Sequence, residues 1–370
     1  MNKVFTIFLL LSVFACTNKT TSPVIIPDTP EPVIQKRPKN LILMIGDGMG
    51  LTQISAGMYS NGNKLNLEEF KAVGLHKSYA SNNLITDSAA GATAFACGVK
   101  TYNGAIGVDP DTVAVKSILE DAEEQGLATG LLATSTIVHA TPASFIAHQK
   151  QRKMYEEIAA DFLKTEIDFF VGGGKKYFDR RDDERDLLAE LRSKGYLIDD
   201  YFNTDFDKVK PDYTKNFGYL TADKDPLQQS QGRDYLIPAT EMALDFLDKR
   251  GEKGFFLMIE GSQIDWGGHA NDSKYIISEM IEFDQAIGRV LDYVKKDGNT
   301  LLVVTADHET GGYAINPGSS MDTIVAGFTS EYHTGTLIPV FAYGPGSELF
   351  NGIYENTAIH AKMKKAMGFK

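Results

Sequence analysis

Apolar runs without a polar break recur along the chain: KNLILMIGDG from Lys39, ATGLLATSTIVHAT from Ala128, IDFFVGGG from Ile167, GFFLMIEG from Gly254, NTLLVVTADHE from Asn299 and LIPVFAYGPG from Leu337. A strand with one face in water alternates apolar and polar residues; a strand covered on both faces does not. Between these runs the period lengthens. VKSILEDAEEQG places Val115, Ile118, Leu119 and Ala122 on one helical face and stops at Gly126. PATEMALDFLDKRG and KYIISEMIEFDQAIGRVLDYVKK follow the same 3.6-residue rhythm. Strands alternating with helices predict an α/β fold: a doubly wound, mostly parallel central sheet with helices on both faces, over residues 39–370. Residues 172–235 are more charged and aromatic, and are expected to form an insertion beside the sheet.

The apolar runs end in chemistry. Asp47, Glu260, Asp307 and His308 each follow one, and His139 and Thr141 close another. In doubly wound sheets that edge is where ligands bind. One Asp after a strand is usually a turn or a cap, but several acids gathered at one edge repel and raise one another's pKa, a penalty that cations remove. EGSQIDWGGHAND adds Asp265 and His269, four apart, with Gly267 and Gly268 predicting a loop; EYHTGT adds His333. Carboxylate with imidazole suits zinc, whereas Asp47, Thr141 and Glu260 form an all-oxygen set that suits magnesium. In TDSAAGATAFACG, taken alone, Ser88 reads first as part of the cap of an alanine-rich helix, with an activated nucleophile as the alternative.

Composition narrows the partners. A net charge of -12 speaks against nucleic acid, and an anionic substrate would need locally concentrated positive charge. Lys3, the apolar run Val4 to Phe14, and Ala15 before Cys16 resemble a bacterial lipoprotein leader. Residues 1–15 are then a signal peptide and Cys16 the lipidated residue of an exported protein, held at a membrane facing the periplasm or the cell surface. Residues 16–38 carry five prolines, a tether reaching about 70 Å at ~3.1 Å per residue. With Cys16 lipidated, Cys97 has no partner for a disulfide.

Six segments taken in order carry a resemblance: ILMIGDGMG, TDSAAGATAFACG, HATPASFIAH, EGSQIDWGGHAND, TADHETGG and YHTGTLIPVFAYGPG. They resemble the signature segments of the alkaline phosphatases, over nearly everything from residue 39, and most nearly the compact bacterial members. The resemblance implies phosphate monoester hydrolysis through a phosphoserine at Ser88, with two zinc ions and one magnesium. Asp265, His269 and His333 would hold the first zinc; Asp47, Asp307, His308 and the Ser88 oxygen the second; Asp47, Thr141 and Glu260 the magnesium. Arg152, in AHQKQRKMY between Lys150 and Lys153, stands where the family's phosphate-clamping arginine does. His139 and Trp266, standing where the enteric enzymes carry an aspartate and a lysine, would flank the third site and open it to zinc or cobalt. A homodimer and small monoester substrates are the family's implication as well. A phosphodiesterase of the same superfamily is the alternative. A sulfatase needs Pro and Arg two and four residues after its nucleophile, and here Ala90 and Ala92 stand there.

Overall fold

The computed structural model describes residues 36–321 and 323–370; the leader, Cys16 and most of the tether lie outside the described residues. Its strands are β1 (Asn40–Gly46), β2 (Ala72–Lys77), β3 (Ala128–Thr136), β4 (Phe169–Gly173), β5 (Leu197–Asp200), β6 (Phe217–Leu220), β7 (Phe255–Gly261), β8 (Thr300–Thr305), β9 (Glu309–Thr310), β10 (Ala314–Ile315), β11 (Ala326–Gly327), β12 (His333–Thr334), β13 (Ile338–Tyr343) and β14 (Gly352–Glu355). The helices are α1 (Leu51–Ser60), α2 (Ser88–Cys97), α3 (Ile118–Glu124), α4 (Ala140–Ile146), α5 (Tyr155–Asp161), α6 (Lys176–Asp179), α7 (Leu187–Ser193), α8 (Leu236–Arg250), α9 (Gln263–His269), α10 (Ser273–Asp297) and α11 (Thr357–Met367). None of the described helices is long and apolar enough to cross a membrane.

Ten strands form one sheet in the order β14-β2-β13-β8-β1-β7-β3-β4-β6-β5. Every neighbouring pair in it is parallel except those made by β13, which runs antiparallel to both β8 and β2. The unbroken apolar run of β1 has the cause anticipated from the sequence. Leu41, Leu43 and Ile45 join a core with Phe95, Ile118, Phe145 and Ile359, from helices on one face. Ile42 and Met44 join Ile54, Phe246, Phe283 and Ile287, from helices on the other. Helix α10 shows the periodicity plainly: Ile276, Met280, Phe283, Ile287, Val290 and Val294 are buried at alternating spacings of four and three. Asp272 caps its start by accepting from the backbone N–H groups of Lys274 and Tyr275, and Gly298 ends it at φ 64°.

Two expectations need correcting. Residues 172–235 do not stand beside the sheet: β5 and β6 lie within them and extend it by two parallel strands past β4. Aromatic residues explain the attachment, because Phe169 of β4 packs on Phe217 of β6 and Phe246 of α8 at ring separations of 5.4 and 5.5 Å. The segment from Asp265 to His269 is helix, not loop. Its glycines are there for close packing: a Cβ on Gly267 would lie 2.7 Å from the Ile276 nitrogen, and one on Gly268 2.7 Å from Thr310 Cβ.

Candidate metal centre and active site

The carboxyl ends of β8, β1, β7 and β3 are neighbours in the sheet, so the residues that follow them meet at one edge. Asp47 follows β1, Glu260 is the penultimate residue of β7, Asp307 and His308 lie just past β8, and His139 and Thr141 follow β3. Helix α9 carries Asp265 and His269 on one face, and β12 brings His333 alongside by pairing with β9. Three sets of ligand atoms result, each within 4.8 Å: Asp265 with His269 and His333, Asp47 with Asp307 and His308, and Asp47 with His139 and Glu260.

Hydrogen bonding shows what these groups lack. Neither oxygen of Asp47 has a hydrogen-bond partner, nor do Asp307 Oδ2, Glu260 Oε1, the Thr141 hydroxyl or His139 Nδ1, all of them buried. A buried carboxylate oxygen without a donor costs several kcal/mol, of order 1–3 or more, and native proteins rarely leave one so. The histidines point the same way. His269 Nδ1–H donates to the Glu331 carbonyl at 2.7 Å, and His333 Nδ1–H to the Thr86 carbonyl at 2.8 Å. A carbonyl only accepts, so Nδ1 carries a proton on both rings, and in the neutral ring Nε2 is the nitrogen free to act as a ligand. Those two nitrogens lie 3.2 Å apart, each near an oxygen of Asp265. Two lone pairs so placed repel unless a proton or a metal ion lies between, and a metal ion satisfies both nitrogens and Asp265 at once. The donor set therefore fits divalent metal ions: nitrogen with carboxylate at the first group and mainly oxygen at the third.

Burial, then the charges of Asp307, Asp265 and Glu260, hold the Asp47 carboxyl well above its usual range. Burial pushes Glu260 up to about 7. Burial would also raise Asp307, but the adjacent His308 outweighs it and holds Asp307 low. Burial and the Arg152 charge take His139 down to about 3, so its ring is neutral. Metal-free, the cluster tends to hold protons where cations would sit.

Ser88 opens α2 and is 1% exposed, its Oγ 3.4 Å from His308 Nε2. Every residue of α2 is buried, which its alanines and Gly91 permit: a Cβ at Gly91 would lie 2.9 Å from Asp307 Cβ. Asp87 has two tasks. One oxygen accepts from the Ala90 N–H and caps the helix; the other accepts from Arg152 at 3.1 Å. Arg152 Nη2 also lies 3.3 Å from His139 Nε2, so the guanidinium reaches the centre, whereas Lys150 and Lys153 are exposed.

The described site residues foreseen in the sequence thus come together, Trp266 included, its ring 6.1 Å from that of His139 in an edge-on contact. His139 stands closer than expected, within the Asp47 and Glu260 ligand group itself. Sequence reasoning passed over Asp87 as the partner of Arg152, and over Glu309 and Thr310, which flank the ligands. The first is masked by its capping role, and the others by lying beside stronger candidates in TADHETGG. His76, silent in the sequence, is buried behind the β8 end and donates from Nε2 to the Ala306 carbonyl at 2.8 Å.

The family model described as Alkaline phosphatase matches residues 38–326 and 322–369. Alkaline phosphatase 3 of Bacillus subtilis is 36% identical over 90% of this chain and 89% of its own length. Alkaline phosphatase of Escherichia coli is 32% identical over 90% and 87%. The solved alkaline phosphatase from the Antarctic bacterium TAB5 superposes with a TM-score of 0.85 at 49% identity, covering 90% of this chain and 99% of that one. A variant of the TAB5 enzyme with a histidine changed to aspartate holds magnesium in its M3 site. This chain belongs to the alkaline phosphatase family and is a phosphatase.

Proposed function

We propose that the chain hydrolyses phosphate monoesters to an alcohol and inorganic phosphate through a phosphoserine at Ser88, in a centre of two zinc ions and one magnesium. Asp265, His269 and His333 would hold one zinc; Asp47, Asp307, His308 and the Ser88 oxygen the other; Asp47, Thr141 and Glu260 the magnesium. The observation that carries this reading is the gathering of imidazole nitrogens and partnerless carboxylate oxygens into three ligand groups, one of which meets the Ser88 hydroxyl through His308. When bound, the cations supply Lewis acidity, neutralising phosphate charge and lowering the pKa of the hydroxyl and water they touch. Ser88 Oγ forms a bond to phosphorus as the ester P–O bond breaks, and the alcohol leaves with a proton. Water then displaces the serine, releasing phosphate and restoring the hydroxyl. Arg152, held by Asp87, offers two parallel N–H donors to phosphate oxygens. Asp87 thus fixes the clamp and the start of the nucleophile's helix at once. The magnesium in the TAB5 variant supports a third site here, where His139 stands beside Asp47 and Glu260.

Ser88→Ala tests the reading. Each zinc keeps three other ligands, so metal content should hold while monoester turnover falls by several orders of magnitude. Acid-quenched wild type should carry phosphate on Ser88; an unmodified serine would overturn the covalent route. Diester turnover matching monoester turnover would favour the phosphodiesterase instead. The leader and Cys16 further support an exported, lipid-anchored enzyme, checked by labelled palmitate that Cys16→Ser fails to take up.

A further inference from the structure

Thr310 lies two residues past His308, fully buried, and none of the proposed ligand sets uses it. Its hydroxyl donates to Asp265 Oδ1 in a close contact and lies 3.3 Å from His308 Nδ1. A hydroxyl has one proton. An ionised carboxylate can only accept, so that proton goes to Asp265, and the oxygen must accept from His308 Nδ1–H. In the neutral ring that binds a metal, His308 Nε2 is then the bare nitrogen, and it faces Ser88 Oγ, Asp47 Oδ1 and Asp307 Oδ2 at 3.4, 3.4 and 3.2 Å. One hydroxyl therefore fixes the tautomer of a ligand in the second group and the orientation of a carboxylate in the first. Its backbone pairs with His333, the remaining buried histidine of the first group.

The hydroxyl is held in place from both sides. A Cβ on Gly48, next to Asp47, would lie 2.9 Å from Thr310 Oγ1, and one on Gly268, next to His269, 2.8 Å from Thr310 Cγ2. Both neighbours being glycine lets the threonine lie flat between the two ligand loops.

We propose that Thr310 is a positioning residue that couples the two zinc groups, through the chain His308 Nδ1–H to Thr310 O–H to Asp265. A cation on His308 Nε2 makes Nδ1–H a stronger donor, which polarises the threonine O–H toward Asp265, as hydrogen-bond chains do. Loading the second group thereby fixes Asp265 for the first, and zinc binds with positive coupling. The inference rests on the proposed metal centre.

Its test needs no substrate. Metal-free wild type, Thr310→Val and Thr310→Ser are titrated with zinc by calorimetry, and the His308 tautomer is read by nitrogen NMR. Wild type and Thr310→Ser should bind two zinc ions with coupling and show a single tautomer. Thr310→Val keeps the shape but loses the hydroxyl; its zinc affinity should fall about 10- to 100-fold, as when hydrogen-bond partners of ligands are removed. Its two binding events should become independent, with a mixed tautomer. Should the valine variant not fold, Thr310→Ala, which adds no atoms, is read the same way. Valine or alanine variants with unchanged affinity and coupling overturn the proposal, as does a serine variant as impaired as valine. Wild type that takes up no zinc overturns the centre itself and the coupling with it.

Discussion

Two buried regions treat their carboxylates in opposite ways. Where α10 meets the 66–69 turn, Asp284 accepts from the Asn66 N–H at 2.8 Å, the Asn66 side-chain amide at 2.9 Å and the Leu67 N–H at 3.1 Å. At the sheet edge, Asp47 is as deeply buried and no donor reaches either oxygen. Glu309 shows that the contrast is chemical and not positional. It lies next to His308, yet it accepts from Gln53, the Gly312 and Tyr313 N–H groups and Thr334. Carboxylates that the chain supplies with donors hold the fold together. Those it leaves bare are the ones the proposed metal centre would use.

The largest effect expected from this contrast is at Asp47, shared by two ligand groups. Asp47→Asn should lower phosphatase activity by about a thousandfold or more, since both sites lose a charged ligand. The metal-free variant should melt higher than the metal-free wild type, because a buried carboxyl without a hydrogen-bond partner, crowded by acids, has been replaced by an amide that can donate to them. A lower melting point would show that Asp47 stabilises the bare fold and would erase the distinction. Asp284→Ala is the mirror experiment. It strands three donors and should cost about 2–4 kcal/mol by denaturant unfolding, while zinc affinity stays within twofold.

A smaller effect lies in pH. In the metal-free fold Glu260 titrates at about 7, above the 4.5 of an ordinary glutamate, through burial first. The folded chain then keeps a proton that the unfolded chain has released, so this group's contribution is present below about 4.5 and is lost as pH rises through about 7. Cations need the same oxygen deprotonated. Glu260's share of the stability gap between metal-loaded and metal-free protein should therefore widen from pH 5 to 7 and level off above. His333 adds little over that range, since burial and His308 take it down to about 4 and leave it neutral. Glu260→Gln should flatten the rise. Melting temperatures of loaded and chelated protein across pH check this, and a gap independent of pH would contradict it.

The same distinction explains what the sequence could reveal. Unbroken apolar runs reported burial on both faces, and the acids at their ends reported the edge, because each is a local property of the chain. What sequence could not supply was who donates to whom. Glu309 and Asp307 sit two apart in TADHETGG, and only the fold shows that Gln53 and Thr334 satisfy one while Asp307 Oδ2 goes without. Helix α9 was missed because glycine opposes helix unless a neighbour demands its smallness, and the neighbours, Ile276 and Thr310, are distant contacts of the fold. Strands β5 and β6 were missed because LIDD and FGYL are four residues long, too short for a period to register.

The smallest effect, and the finest probe of the contrast, is at His139. Its Nδ1 is buried without a partner beside Asp47 and Glu260, while Arg152 lies 3.3 Å from its Nε2. A guanidinium only donates, so Nε2 accepts and the proton sits on Nδ1, the nitrogen turned from Arg152. A third-site cation meets there a donor where a ligand is wanted. To bind, the ring must move its proton to Nε2 and give up Arg152. His139→Asp removes that conflict and adds an acceptor for magnesium-bound water, but it also offers Arg152 a competing carboxylate besides Asp87. The gain should thus be modest: magnesium affinity of the zinc-loaded enzyme should rise about 10- to 100-fold. Phosphate affinity should fall by a smaller factor as Arg152 is drawn aside. Magnesium titration followed by phosphate inhibition, on both proteins, reads the two effects separately. Equal magnesium affinities would mean that the bare Nδ1 does not oppose the cation, and that a buried group lacking a partner can be indifferent to the metal beside it.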